Sequence, residues 1–269
     1  MRVQGVDIPD LGLGTWRLEG DVCVRAVEEA LRLGFRHVDT AQLYGNEAEV
    51  GEGLRRSGVP RGSVWITTKV APDAMHHDDL LASVEESLDR LQSSYIDLLL
   101  VHWPSREVPL EETLGAMRTL LPGGSVRHLG VSNFTPALLE EALELAPILA
   151  LQVEFHPYLA QPELLEQARR HDLALIAYCP LAQGAVLEDP VLEEIAGVHG
   201  RTTAEVALGW LRRQGPVIPI PRTSDPEHAR HDLGSLTLEL APAELAWISS
   251  LAQGRRIVDP ADLAPAWST

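Results

Sequence analysis

Cysteine is nearly absent: Cys23 and Cys179 are the only two in 269 residues, too few and too far apart for a disulfide framework. Long apolar runs are missing too. No stretch approaches the ~20 residues of a bilayer span, and Met1-Arg2-Val3-Gln4-Gly5-Val6-Asp7 holds no apolar signal core. Positive charge is scarce, with 22 lysines and arginines against 39 acidic residues and a formal charge of −17. Such a surface repels a phosphate backbone, which argues against a nucleic-acid partner. These shortages exclude a secreted disulfide scaffold and a membrane protein, and leave a cytoplasmic protein as the expectation. With no heptad repeat either, the expected state is a monomer. A net negative chain still has room for one local positive pocket that takes an anion.

What is present is an alternation of strand and helix patterns. Hydrophobic residues at 45% and charged residues at 23% are ordinary for a globular protein, and no linker or composition break divides the chain, so residues 1–269 read as one domain. Residues 1–16 alternate and turn, which fits a small hairpin. Strand patterns then follow at 35–39, 64–69, 96–102, 126–131, 150–153, 173–178 and 217–220, with 235–238 as the expected eighth. Helical patterns fall between them; Thr135-Pro136, for example, opens a helix over 136–145 with an N-cap and a proline at its first position. Eight short apolar strands, most followed by a helix, predict an α/β fold: a (β/α)8 TIM barrel with an N-terminal β-hairpin. The competitor, a doubly wound open sheet, needs a glycine fingerprint. Gly12-Leu13-Gly14-Thr15-Trp16 starts like one, but Arg17 stands where the third glycine belongs and no strong strand precedes it.

In a barrel the active site lies at the C-terminal ends of the strands. Asp39, Lys69 and His102 fall there, and Tyr44 lies in the loop after the first of those strands. A lysine at the end of a buried strand needs a partner, and Asp39 is the natural one. A cationic lysine near Tyr44 is expected to lower the tyrosine's pKa. A phenol tuned that way gives a proton to a carbonyl oxygen, while a neutral His102 holds and polarises the same oxygen. None of the four is a nucleophile in that arrangement, so the second reactant must come from a cofactor. Any one of them alone is more often a structural hydrogen-bonder; four after successive strands are not explained by packing. His76-His77-Asp78-Asp79, contiguous before a helix, reads as a solvated loop and N-cap, and no metal is expected.

Taken together, the motifs resemble those of the aldo-keto reductase family over nearly the whole chain. They are Gly12-Leu13-Gly14-Thr15-Trp16, Asp39-Thr40-Ala41, Tyr44-Gly45-Asn46-Glu47, Thr68-Lys69 and Leu99-Leu100-Val101-His102-Trp103-Pro104. Gly130-Val131-Ser132-Asn133-Phe134, Gln152-Val153-Glu154-Phe155-His156-Pro157 and Ala177-Tyr178-Cys179-Pro180-Leu181 continue the series. The resemblance implies reduction of aldehydes and ketones with a nicotinamide cofactor, Tyr44 as proton donor, Lys69 and Asp39 tuning it, and His102 orienting the carbonyl. It further implies that Ser132, Asn133 and Gln152 hold the nicotinamide carboxamide and that Tyr178 stacks on the ring. The loop from Cys179 to Gly184, including Leu181 and Gln183, would follow the pyrophosphate. Arg222 and Thr223 would grip an adenosine 2′-phosphate, with His228 where the family commonly has a second basic residue. Arg222 replaces the family's usual lysine but also binds phosphate well. NADPH is therefore the expected cofactor, with NADH tolerated.

Trp16, Leu43 and Trp103 would wall the substrate pocket, and the short tail from Gln253 leaves it open. Small aldehydes and dicarbonyls are the expected substrates. Two alternatives stand beside this reading: a regulatory or scaffold subunit that binds cofactor with little turnover, and a barrel isomerase or aldolase working through a Lys69 Schiff base.

Overall fold

The computed structural model describes residues 1–267. An antiparallel hairpin of β1 (Arg2–Val3) and β2 (Val6–Asp7) turns at Gln4 and Gly5, both at positive φ. The eight-stranded parallel sheet runs in sequence order: β3 (Leu13–Gly14), β4 (His37–Asp39), β5 (Trp65–Val70), β6 (Ile96–Val101), β7 (Val126–Ser132), β8 (Ile148–Glu154), β9 (Ala174–Tyr178) and β10 (Val217–Pro219). Its two outer strands meet. Gly12 N–H donates to Pro219 O at 3.0 Å and Gly14 N–H to Pro221 O at 2.8 Å, which closes the sheet into a barrel. The seam requires glycine: a Cβ on Gly12 would lie 2.8 Å from Ile220 and 2.9 Å from the His37 ring, and one on Gly14 would lie 2.9 Å from Ile220 O. The Gly-x-Gly pair therefore serves close backbone approach, as its rejection as a nucleotide fingerprint requires.

Helices α1 (Gly20–Leu33), α2 (Glu47–Ser57), α3 (His77–Leu91), α4 (Leu110–Thr119), α5 (Pro136–Leu145), α6 (Pro162–Arg170), α7 (Pro190–His199), α8 (Thr203–Arg212), α9 (Pro226–Gly234) and α10 (Pro242–Ser249) complete the chain. Their ends follow local chemistry. Thr135 accepts the N–H of Leu138 ahead of Pro136 in α5, and Thr202 and Glu205 form a reciprocal capping box on α8.

The strand expected at 235–238 is not one. Ser235–Thr237 is a 3₁₀ turn in which the Ser235 hydroxyl donates to Asp232 O at 2.6 Å, extending the end of α9; local side-chain-to-backbone bonds of this kind compete with strand pairing. The missing barrel strand is β3, two residues long, in the segment expected to belong to the hairpin.

Side chains alternate across the barrel wall with the period of two that strands impose. Leu99 and Val101 of β6 face the helices, whereas Leu98 and Leu100 join Trp65, Ile176, Ile218 and Ile220 inside. Val3 and Ile8 from the hairpin region belong to the same interior cluster, so the hairpin plugs the N-terminal end. The inward positions change from apolar to polar toward the C-terminal end, and the site begins there.

Candidate active site

Asp39 is the last residue of β4 and pairs in register with Thr67 of β5; Lys69, two residues on, points the same way. The Lys69 ammonium is fully buried, with its Nζ 2.5 Å from Asp39 Oδ1, 2.7 Å from Thr40 O and 3.3 Å from Tyr44 Oη. Those three acceptors use all three N–H bonds of an ammonium. Asp39 is completed on its other oxygen by Gln152 Nε2 at 2.7 Å. Burial pushes the Lys69 ammonium down, but Asp39 and then Tyr44 outweigh that and the net direction is up. A lysine whose three N–H bonds are all engaged offers no lone pair for a Schiff base, which speaks against the aldolase alternative.

Tyr44 ends a 3₁₀ turn (Gln42–Tyr44) capped by Gly45 at φ 66°. Its phenol corrects one expectation. Burial pushes its pKa up, Lys69 pulls it down and Asp39 pushes it up again, and the net lies above the ordinary value. Lys69 acts in the expected direction without winning, and the phenol is held protonated, as a proton donor must be. The His102 ring meets Tyr44 edge-on, centroids 5.6 Å apart at 76°. Burial and then the charge of Lys69 press its pKa well below the imidazole value, so His102 is neutral near pH 7, and its Nδ1 has no partner among the described residues. The four side chains expected to converge are together.

A second polar group lies beside them. Asn133, at φ 63°, donates from Nδ2 to His102 O at 3.0 Å and to Ser132 Oγ at 3.1 Å, and its Oδ1 accepts the Tyr178 hydroxyl at 2.8 Å. Past Tyr178 the chain takes left-handed conformations at Cys179, Ala182, Gln183 and Gly184. Arg222, Thr223 and His228 stand apart from these groups, after β10 and in the first turns of α9. Arg222 and His228 are exposed, and among the described residues neither is paired with a carboxylate. Trp16 and Leu43 are 41% and 56% exposed, whereas Trp103 is 5% exposed.

Three groups that matter here were not singled out from sequence. Glu154, fully buried at the end of β8, accepts the N–H of Ile257 at 2.7 Å and of Val258 at 2.9 Å and takes His156 Nε2 at 2.9 Å, clasping the C-terminal tail to the barrel rim. The tail is held again where Arg106 donates to Ala264 O at 2.6 Å and where Trp267 stacks under Arg256. Gln42 and Glu47 fasten the Tyr44 loop to β5 and α3. The one available signal for Glu154 is its parity with Gln152, which puts both inside.

Comparison with known proteins agrees with this geometry. The profile of the Aldo/keto reductase family matches residues 10–253. The methylglyoxal reductase DkgB of Escherichia coli O157:H7 is 39% identical, the match covering 97% of this chain and 99% of that one. The 9,11-endoperoxide prostaglandin H2 reductase of Trypanosoma cruzi (strain CL Brener) is 37% identical, over 97% of this chain and 94% of its own. Among solved structures, a protein assigned as a 2,5-diketo-D-gluconic acid reductase B superposes with a TM-score of 0.97 at 46% identity, covering 99% of this chain and 96% of that one.

Proposed function

The chain belongs to the aldo/keto reductase family and reduces carbonyl groups; on that premise, we propose that Tyr44 is its proton donor, NADPH its preferred cofactor and small aldehydes and dicarbonyls its substrates. The observation that carries this is the Lys69 ammonium, whose only side-chain partners among the described residues are Asp39 and Tyr44.

The family generally uses nicotinamide cofactors, and the polar group beside the tetrad suits one. The existing hydrogen bonds leave the Ser132 hydroxyl proton and Gln152 Oε1 unused among the described residues. A donor and an acceptor side by side are what a carboxamide requires. The Tyr178 ring, fixed by its bond to Asn133, offers the flat surface for the heterocycle. Cys179, Leu181 and Gln183 lie in a segment with repeated left-handed residues, and such segments present successive backbone N–H groups to an anion. Arg222, without a carboxylate partner among the described residues and beside the N-terminus of α9, with Thr223 and His228 close in sequence, supplies the charge for a 2′-phosphate.

Reduced nicotinamide, when bound, supplies the hydride. The protein's own part is polarisation and proton delivery. Neutral His102 donates a hydrogen bond to the carbonyl oxygen and fixes it against Tyr44. As negative charge develops on that oxygen, Tyr44 passes its proton to it. The phenolate left behind faces Lys69 Nζ at 3.3 Å, and the charge–charge attraction that forms only then lowers the barrier. Asp39 and Thr40 O hold the ammonium so that no reorganisation is needed.

Trp16 and Leu43 form an apolar rim at the mouth, and Trp103 backs it. The relatives' names include a methylglyoxal reductase and a diketo-acid reductase, which supports small dicarbonyls for this chain. The chain acts as a monomer in the cytoplasm; among the described residues no helix is long and apolar enough to cross a membrane.

The test is an isotope experiment. NADPH carrying deuterium on the transferable face of C4, with a small dicarbonyl, should yield one deuterium on the new carbinol carbon and a higher kcat/KM than NADH. A product without deuterium would overturn hydride transfer from the nicotinamide, and cofactor bound without consumption would return the regulatory-subunit reading.

A further inference from the structure

Tyr44 and Lys69 sit on separate segments, and their 3.3 Å approach depends on what fastens those segments together. Two side chains do so, one on each side of Tyr44. Glu47, three residues after it, is 1% exposed and takes the Thr68 hydroxyl on Oε1 at 2.6 Å, one residue before Lys69. Gln42, two residues before it, takes the Ala71 N–H on Oε1 at 2.8 Å, two residues after Lys69. The pair brackets both members of the proton-transfer couple. Both anchors continue into α3. Gln42 Nε2 lies 3.1 Å from Ser83 O and Oγ and 3.0 Å from Ser87 Oγ. Glu47 Oε2 takes Ser87 Oγ at 3.2 Å and Arg90 Nε at 2.8 Å.

The two anchors differ in what else they do. Glu47 is a buried carboxylate that holds Thr68, Ser87 and Arg90 at once, so removing it breaks three bonds and threatens the fold. Gln42 is neutral and half-exposed. The neighbouring Leu43 is 56% exposed, so apolar packing does not hold the turn at that position. A segment with few buried contacts stays in place through its hydrogen bonds.

We propose that Gln42 is a positioning residue for proton transfer: its amide ties the Tyr44 turn to the backbone just past Lys69 and so sets the distance from phenol to ammonium. The inference rests on Tyr44 being the proton donor. Gln42 touches neither carbonyl nor cofactor in this scheme. When the tie is cut, the phenol moves away from Lys69, becomes a weaker acid, and titrates at higher pH.

The experiment compares wild type with Gln42→Leu, which keeps side-chain bulk and loses every hydrogen bond, in single turnovers at 340 nm with NADPH bound beforehand. A displacement of about 1 Å at the reacting atoms costs on the order of a hundredfold in rate, so a fall of roughly ten- to a hundredfold is expected. Nucleotide Kd and carbonyl KM should stay within about twofold of wild type, because ground-state binding is untouched. The alkaline limb of the rate profile should move to higher pH. Ser83→Ala, which spares the bond to Ala71, should keep the wild-type rate. Should Gln42→Leu fail to fold, Gln42→Met carries the same readout. An unchanged rate and unchanged alkaline limb, even with lower thermal stability, overturns the proposal. So does a rate loss matched by an equal loss of nucleotide affinity, since that is collapse of the pocket. Tyr44→Phe is run alongside: wild-type turnover in that variant defeats the proton-donor reading itself and the inference with it.

Discussion

Replacing Lys69 by methionine removes an ammonium whose three N–H bonds all have partners, and it strands the Asp39 carboxylate at 2% exposure. Breaking a buried ion pair from one side costs about 3–5 kcal/mol, most of it the price of the charge left behind. Gln152 still donates to Asp39, which places the expected cost of Lys69→Met near the lower end, about 3 kcal/mol. The cost depends on pH with a definite sign. Burial already raises Asp39 while Lys69 pulls it down; without Lys69 the folded-state pKa rises further above the unfolded value near 3.9. A carboxyl whose pKa is raised by folding destabilises the native state increasingly as pH climbs past the unfolded value. The variant should therefore lose most stability relative to wild type at about pH 8 and lose less at about pH 5, because the deficit shrinks as pH falls toward the unfolded carboxyl value. Urea unfolding of both proteins at the two pH values measures this. Adding Asp39→Asn to Lys69→Met should restore stability, since no stranded charge remains. Equal deficits at both pH values, or a double variant weaker than Lys69→Met alone, would refute the buried-pair account.

Other expectations follow from the same geometry. Arg222→Ala should weaken NADPH by about tenfold or more, a charge-assisted contact of roughly 1.5–3 kcal/mol, while NADH affinity stays put; equal loss for both would remove Arg222 from the 2′-phosphate site. Because burial holds His102 well below its ordinary pKa, it stays neutral as pH falls through the usual imidazole range, and kcat/KM should show no acid limb near pH 6.5; a limb there would mean a protonatable His102. Glu154→Gln removes the charge behind two tail hydrogen bonds, and hydrogen exchange at Ile257 and Val258 should speed up by an amount equal to about 1–3 kcal/mol of lost protection. Unchanged exchange would mean the clasp is incidental. Burial pushes the Cys23 thiol up to about 12, so Cys23 should resist thiol reagents in the native protein and react only on unfolding.

The residues proposed for catalysis were legible because strand ends are. Asp39, Lys69 and His102 close apolar runs, and the period of two turns their positions into a shared direction. Helix ends were legible for the same local reason: Thr135 and Pro136 act through neighbours within a few residues. Contacts made across the fold were not. Gln42 meets Ala71 and Ser87, Glu47 meets Thr68 and Arg90, and Glu154 meets a tail a hundred residues away; nothing near them in the chain signals a partner. The barrel's first strand escaped notice because Leu13–Gly14 earns its place through backbone bonds at the seam, which two residues, one of them glycine, do not advertise. Ser235-Leu236-Thr237-Leu238 alternated convincingly, but the Ser235 hydroxyl and the burial of Leu238 against Gly209 favour a turn. The Tyr44 pKa was read from its nearest charge, and burial outweighed it.

The central claim is that Tyr44 delivers the proton in carbonyl reduction. Single-turnover oxidation of bound NADPH by a small dicarbonyl, in wild type and Tyr44→Phe, tests it directly. General-acid catalysis contributes about 10²–10⁴ in rate, so Tyr44→Phe should lose that much while binding NADPH with the same Kd. A Tyr44→Phe protein that transfers hydride at the wild-type rate would contradict the account.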